Sequence, residues 1–153
     1  MERLTQALPR LKELWLCSEH APRADAVLRA PEVERLTLEL ADVPCWVEMP
    51  RALRSLRLRA PGATDDEVCR VLAACPDRLE WVDLRGSPVT DRLLDALARF
   101  PGLRSLDAVD TGIREEALWR FAAGRSDFKC WPMPPEPEPP GDQGLVVLRR
   151  PEP

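Results

Sequence analysis

The sequence predicts an α/β fold: a solenoid of stacked strand-and-helix units, with about five parallel strands on a concave face and helices or turns on the convex face. Three observations predict it. The pattern apolar, two residues, apolar, one residue, apolar occurs at Leu11-Leu14-Leu16, Val33-Leu36-Leu38, Leu53-Leu56-Leu58, Leu79-Val82-Leu84 and Leu103-Leu106-Ala108, with starts 20–26 residues apart. A proline stands two or three residues before each start, as Pro9, Pro31, Pro50, Pro76 and Pro101. Segments of helical periodicity lie between the patterns, most clearly in the second half. A repeat of this length is the mark of stacked units that bury a continuous core only together.

Each pattern reads as a short strand whose last two apolar residues alternate inward. Each proline disfavours helix in the residue before it and removes an N–H donor, so it ends one helix and releases the chain towards the next strand. Thr64 with Glu67 makes a capping-box pair. Val68, Val71, Leu72 and Cys75 then share one apolar helix face. In the next unit Thr90 is the expected N-cap, Asp91 suits the helix dipole, and Leu93, Leu94 and Leu97 face inward. The following helix carries Ala117, Leu118, Phe121 and Ala122, with Gly124 as its stop. Met1 to Leu8 resembles the helical half of a unit. The second unit is short and has Pro44 where a helix would begin, which predicts an irregular turn.

The spacing resembles the leucine-rich repeat family, and Leu79–Leu118 (LEWVDLRGSPVTDRLLDALARFPGLRSLDAVDTGIREEAL) resembles its ribonuclease-inhibitor-like subclass. The resemblance covers roughly residues 1–124 and implies the fold rather than any chemistry. Position nine of the family pattern, usually Asn or Cys, holds Glu19, Ala41, Pro61, Ser87 and Thr111. Only Ser87 and Thr111 carry a short hydroxyl able to bond loop backbone. The organisation expected is a repeat domain over residues 1–125 and a Pro-rich C-terminal tail over 126–153, partly capping the domain. Eight of the seventeen prolines fall in residues 132–153, a tract that favours extended polyproline II. Trp131 and Phe128 are expected to cap the open end of the core, and Trp46 and Trp119 to pack on the loop or convex side.

The chain of 153 residues is sized for one domain and needs neither metal nor disulfide to fold. Its net charge of −4 argues against a nucleic-acid binder that relies on a general positive field, so nucleic acid is an unfavoured partner. No run approaches the ~18 apolar residues of a membrane span, and the first residues are amphipathic rather than signal-like. Five scattered cysteines without a signal peptide read as reduced thiols of a cytoplasmic protein. Arginine outnumbers lysine twenty to two, which with abundant Ala and Pro suggests a GC-rich bacterial genome.

Little in the sequence points to catalysis. His20, the single histidine, follows Cys17 by three residues, but a structural zinc site needs four ligands and no second pair of matching spacing exists. No glycine-rich phosphate loop, GxSxG or HExxH motif is present. The expectation is therefore no enzyme, no metal, no cofactor and no small-molecule substrate.

The informative constellation is the third, fifth and seventh residue of each pattern, which point to the concave face. It places Trp15, Arg35, Thr37, Arg57, Arg59, Trp81, Asp83, Arg85 and Asp107 together as partner-contacting residues. Arg57 should neighbour Thr37 and Asp83, with Arg59 and Arg85 forming a basic spot beside Glu39. Exposed Trp and Arg on a rigid sheet are what binding hot spots favour. The expected function is a non-catalytic module that binds another protein through this face. An inhibitor or immunity-type protein masking a toxin or enzyme is the first alternative. A structural subunit or adaptor of a larger assembly is the second.

Overall fold

The structure, a computed structural model, describes residues 11–18, 32–41, 43 and 49–134. The expected helix at Met1–Leu8, the turn at Pro44, residues His20, Cys45 and Trp46, and the Pro-rich stretch after Pro134 lie outside the described residues.

The architecture is α/β, with a six-stranded parallel sheet whose strands follow one another in chain order. The strands are β1 (Glu13–Ser18), β2 (Arg35–Leu40), β3 (Ser55–Arg59), β4 (Trp81–Asp83), β5 (Ser105–Asp107) and β6 (Lys129–Trp131). The helices among the described residues are α1 (Asp65–Ala74), between β3 and β4, α2 (Arg92–Ala98), between β4 and β5, and α3 (Glu115–Ala123), between β5 and β6. Five strands coincide with the five apolar patterns. The sixth lies in the segment that the sequence assigns to the tail. It has no leucine pattern, and its one core-facing residue is Cys130, 3% exposed.

The register follows from the apolar pattern. Leu14, Leu36, Leu56, Val82, Leu106 and Cys130 form one row across the sheet. These side chains point to the core side of the sheet, and the buried core includes Leu36, Leu56, Leu58, Val82, Leu84 and Leu106. At each junction the carbonyl of the residue before one strand accepts an N–H from the start of the next. Lys12, Glu34, Arg54, Glu80 and Arg104 play this part in turn. The prolines act as turn formers: Leu53 and Leu79 donate their N–H to the carbonyls of Pro50 and Pro76, at 3.1 and 3.2 Å. At Pro101 the accepting carbonyl is that of the preceding Phe100.

The capping box on α1 is present, with Thr64 Oγ1 accepting from the Glu67 N–H and the Glu67 carboxylate accepting from the Thr64 N–H. Val68, Val71, Leu72 and Cys75 are buried from this helix, as are Leu93, Leu94 and Leu97 from α2. Thr90 departs from expectation. The residue before α2 is Asp91, which makes no side-chain cap bond, and Thr90 turns its N–H and hydroxyl to the Asp65 carboxylate of the preceding helix. Asp91 does the same one layer on, accepting from the Arg114 N–H at 2.7 Å. Each of these aspartates satisfies the start of the following helix region rather than its own. The Arg114 N–H, followed by the Arg114 guanidinium, holds the Asp91 carboxyl below its usual range, although desolvation opposes them.

Ser87 is fully buried and bonds the previous loop, donating to the Leu58 carbonyl and accepting from the Ala60 N–H. Thr111 bonds locally, donating to Ala108 O and accepting from the Ile113 N–H. These are the two position-nine hydroxyls, and both bond loop backbone. The turns after β4 and β5 need a left-handed residue, filled by Gly86 (φ 70°) and Asp110 (φ 56°).

Candidate binding face

Among the described residues, α1, α2 and α3 follow β3, β4 and β5 and lie on the core side of the sheet. On the other side the alternate residues of six strands form a continuous open face. Its first row runs Glu13, Arg35, Ser55, Trp81, Ser105 and Lys129, and its second runs Trp15, Thr37, Arg57, Asp83, Asp107 and Trp131. Arg57 stands between Thr37 and Asp83, as the spacing predicts. Trp15 is 69% exposed, whereas Trp81 is half-buried, with the Arg57 guanidinium 5.5 Å from its ring centroid. That stacking supports both side chains in place.

Asp83 is the main correction to the sequence reading. It is buried, only 1% exposed, and offers no contact surface. Its Oδ2 accepts from Arg57 Nε at 2.7 Å and from Arg85 Nη2 at 3.0 Å, while its Oδ1 accepts the Arg85 N–H at 3.0 Å. Burial pushes its carboxyl up, but the hydrogen bonds from Arg85 and Arg57 outweigh this and hold it below the ordinary value. Arg85 also reaches Asp107, Nε to Oδ2 3.3 Å, and so separates two carboxylates that face each other across β4 and β5. Asp83 is thus a positioning residue: it fixes two guanidinium groups that are each about half exposed.

The expected basic spot beside Glu39 is lined by arginine but is not strongly basic. A cavity of about 320 Å³ holds Arg57, Arg59 and Arg85 together with Glu39, Asp83 and Asp110. Arg59 is exposed and makes no ion pair among the described residues. A broader groove of about 700 Å³ runs from Trp15 to Trp81 over Thr37, Ser55 and Arg57. Arg35 pairs with Glu13 at its edge.

The sequence reading missed two features of this face. Trp131, 36% exposed, stands opposite Asp107 on the open face instead of capping the core. Phe128 does pack at the core's edge, edge-to-face with Phe121 at 5.5 Å. Trp119 packs against the core as expected and donates its indole N–H to Pro132 O at 3.2 Å. The second missed feature is a charge row. Lys12, Glu34, Arg54, Glu80 and Arg104 alternate in sign along the rim, with ion pairs Lys12–Glu34 at 2.8 Å and Arg54–Glu80. The signal was available at the second residue of each apolar pattern. Exposed pairs of this kind add little stability.

The face has aromatic surfaces and fixed hydrogen-bond donors, which suit recognition. Burial raises the thiols of Cys69 and Cys130 and pushes that of Cys75 up to about 12, so these three are not activated. Among the described residues no group of three or more His, Cys, Asp or Glu side chains is placed to hold a metal ion. No described helix is long and apolar enough to cross a membrane. In comparisons with protein-family models, curated proteins and solved structures, nothing matches this chain.

Proposed function

We propose that the chain is a leucine-rich-repeat-type solenoid acting as a non-catalytic cytoplasmic module that binds another protein through its open sheet face. Strands in chain order, one unit apart, support the solenoid reading. One observation carries the binding reading: Trp15 stands 69% exposed on the same rigid face as the guanidinium pair fixed by Asp83. A large exposed aromatic beside preorganised arginines is the composition of an interface centre. A face already in place loses little conformational freedom on binding. Trp15, Trp81, Arg57, Arg59 and Arg85 would make the contacts, with Thr37 and Arg35 at the floor and edge. Asp83 and Asp107 hold the arginines.

The test is capture of a partner from the native host by the tagged full chain, repeated with Trp15→Ala and Trp81→Ala. Both variants should lose the captured protein while their melting temperatures stay close to that of the parent chain. Undiminished capture by both would overturn the reading. A large fall in melting temperature for Trp81→Ala would assign that residue to the core.

A further inference from the structure

We propose that the protein partner docks by an extended segment that sets one aspartate or glutamate between Arg59 and Arg85 and a large apolar side chain against Trp15 or Trp81, about four residues away. This deepens the binding reading above and rests on it. The first observation is the layering of charge on the open face. The side chains of Asp83 and Asp107 are 2% and 13% exposed, whereas Arg57 and Arg85, which pair with them, are 42% and 50% exposed. Negative charge thus lies beneath positive, and an approaching side chain meets guanidinium first. Arg59 is exposed beside them and makes no ion pair among the described residues, although Glu39 is its neighbour on β2. Gly86 keeps this corner open, since a side chain there would begin 3.6 Å from Arg59 Nε.

A carboxylate is the occupant this arrangement selects. It accepts charge-assisted hydrogen bonds from guanidinium groups, and Asp83 already holds two of them in place, so little ordering is left to binding. A chain of phosphates fits less well. Glu39 and Asp110 line the same cavity, and Glu13 lines the adjoining groove, so a polyanion would run along acidic side chains too. The second observation is the distance to the aromatic groove. Cavity and groove share Arg57 and Glu39, so one ligand can occupy both. Trp81 stands four positions before Arg85. Trp15 is level with Arg57, two strands over and two positions back from Arg59. At ~3.3 Å per residue and ~4.8 Å per strand, both offsets come to ~12–13 Å, the length of about four residues of extended peptide. The groove takes an apolar group rather than a cation, because Arg57 already lies 5.5 Å from the centroid of the Trp81 ring.

The experiment selects phage-displayed random dodecapeptides on the immobilised full chain and measures the recovered peptides by fluorescence anisotropy. They should share an Asp or Glu with a Trp, Phe, Leu or Met about four positions away. Changing that acid to its amide should weaken binding about tenfold or more, the loss of one charge-assisted hydrogen bond. Arg59→Gln should do the same at an unaltered melting temperature, since no ion pair among the described residues is lost. Arg104→Gln, an equal charge change on the rim, should leave binding unchanged. Basic or purely apolar peptides, or the lack of any peptide that Arg59→Gln weakens, would sink the proposal. A single-stranded thymidine dodecamer that binds more tightly than the peptides would sink it as well, by assigning the arginines to nucleic acid. The two readings fail separately. Peptides weakened by Trp15→Ala and Trp81→Ala but not by Arg59→Gln leave the face reading standing and remove the acidic contact. Peptides indifferent to all three variants count against the face itself.

Discussion

At the β6 end of the sheet, Cys130 is 3% exposed, while at the β1 end Leu14, in the same row, is only half-buried, as is Leu16. The pattern is stronger at β1, where leucines occupy both core-facing positions, yet the burial is better at β6. At β6 part of the cover comes from Arg125 and two aromatic rings. Next to β6, the Arg125 guanidinium lies over Phe121 at 4.5 Å and Phe128 at 5.7 Å. It also donates to the carbonyls of Phe100, Leu97 and Ala98, tying the end of α2 to the segment after α3. Burial lowers the Arg125 pKa from its usual value. An apolar pattern thus specifies strand and register, while coverage depends on side chains supplied from elsewhere.

Truncating one row at its β1 end and at β5, next to its β6 end, breaks this comparison most directly. Leu106→Ala should destabilise the chain by ~2–5 kcal/mol through the cavity it leaves. Leu14→Ala should cost on the order of 1 kcal/mol, because the side chain is already partly exposed. Urea unfolding of both variants checks the ratio, and equal losses would mean that β1 is as well covered as β5. Arg125→Ala should cost about 1.5–3 kcal/mol, since it removes three charge-assisted bonds to carbonyls and the support for two rings. Its effect should appear as raised hydrogen exchange after Leu97 rather than in β1.

Asp83→Asn sharpens the comparison between the buried middle of the face and its exposed rim. At neutral pH it should cost about 1–2 kcal/mol, discounted because both guanidinium groups are half exposed. The Asp83 carboxyl sits below its unfolded value, so its contribution is present above ~pH 4 and is lost as pH falls through the lowered folded value. The stability gap between parent and Asp83→Asn should therefore close in acid, seen in denaturation midpoints across that range. Trp15→Ala should be the smallest change, within ~0.5 kcal/mol, because the side chain is largely in water.

Much of the fold was legible in the residues themselves. Period-two leucines gave five of the strands and their register, and the Thr64–Glu67 pair gave the start of α1. What escaped had a physical reason. β6 has only Cys130 facing the core, too little for a pattern search. Thr90 was assigned to its own helix because capping rules are local, whereas its partner Asp65 is 25 residues away. On the face, spacing placed Arg57 between Thr37 and Asp83 correctly. Alternation alone could not show that Asp83 is buried, since its burial comes from the two arginines folded over it.

The forward reach of Asp65 and Asp91 has a consequence for how the chain could grow. Each carboxylate serves the layer after it, 25 and 23 residues on. A duplicate of residues 79–102 spliced in after position 102 would therefore arrive with its own giver and its own receiver, leaving neither junction unserved. On the solenoid reading proposed above, lengthening the molecule by copying one unit should be tolerated, whereas excising Asp91 alone would strand the amide of Arg114.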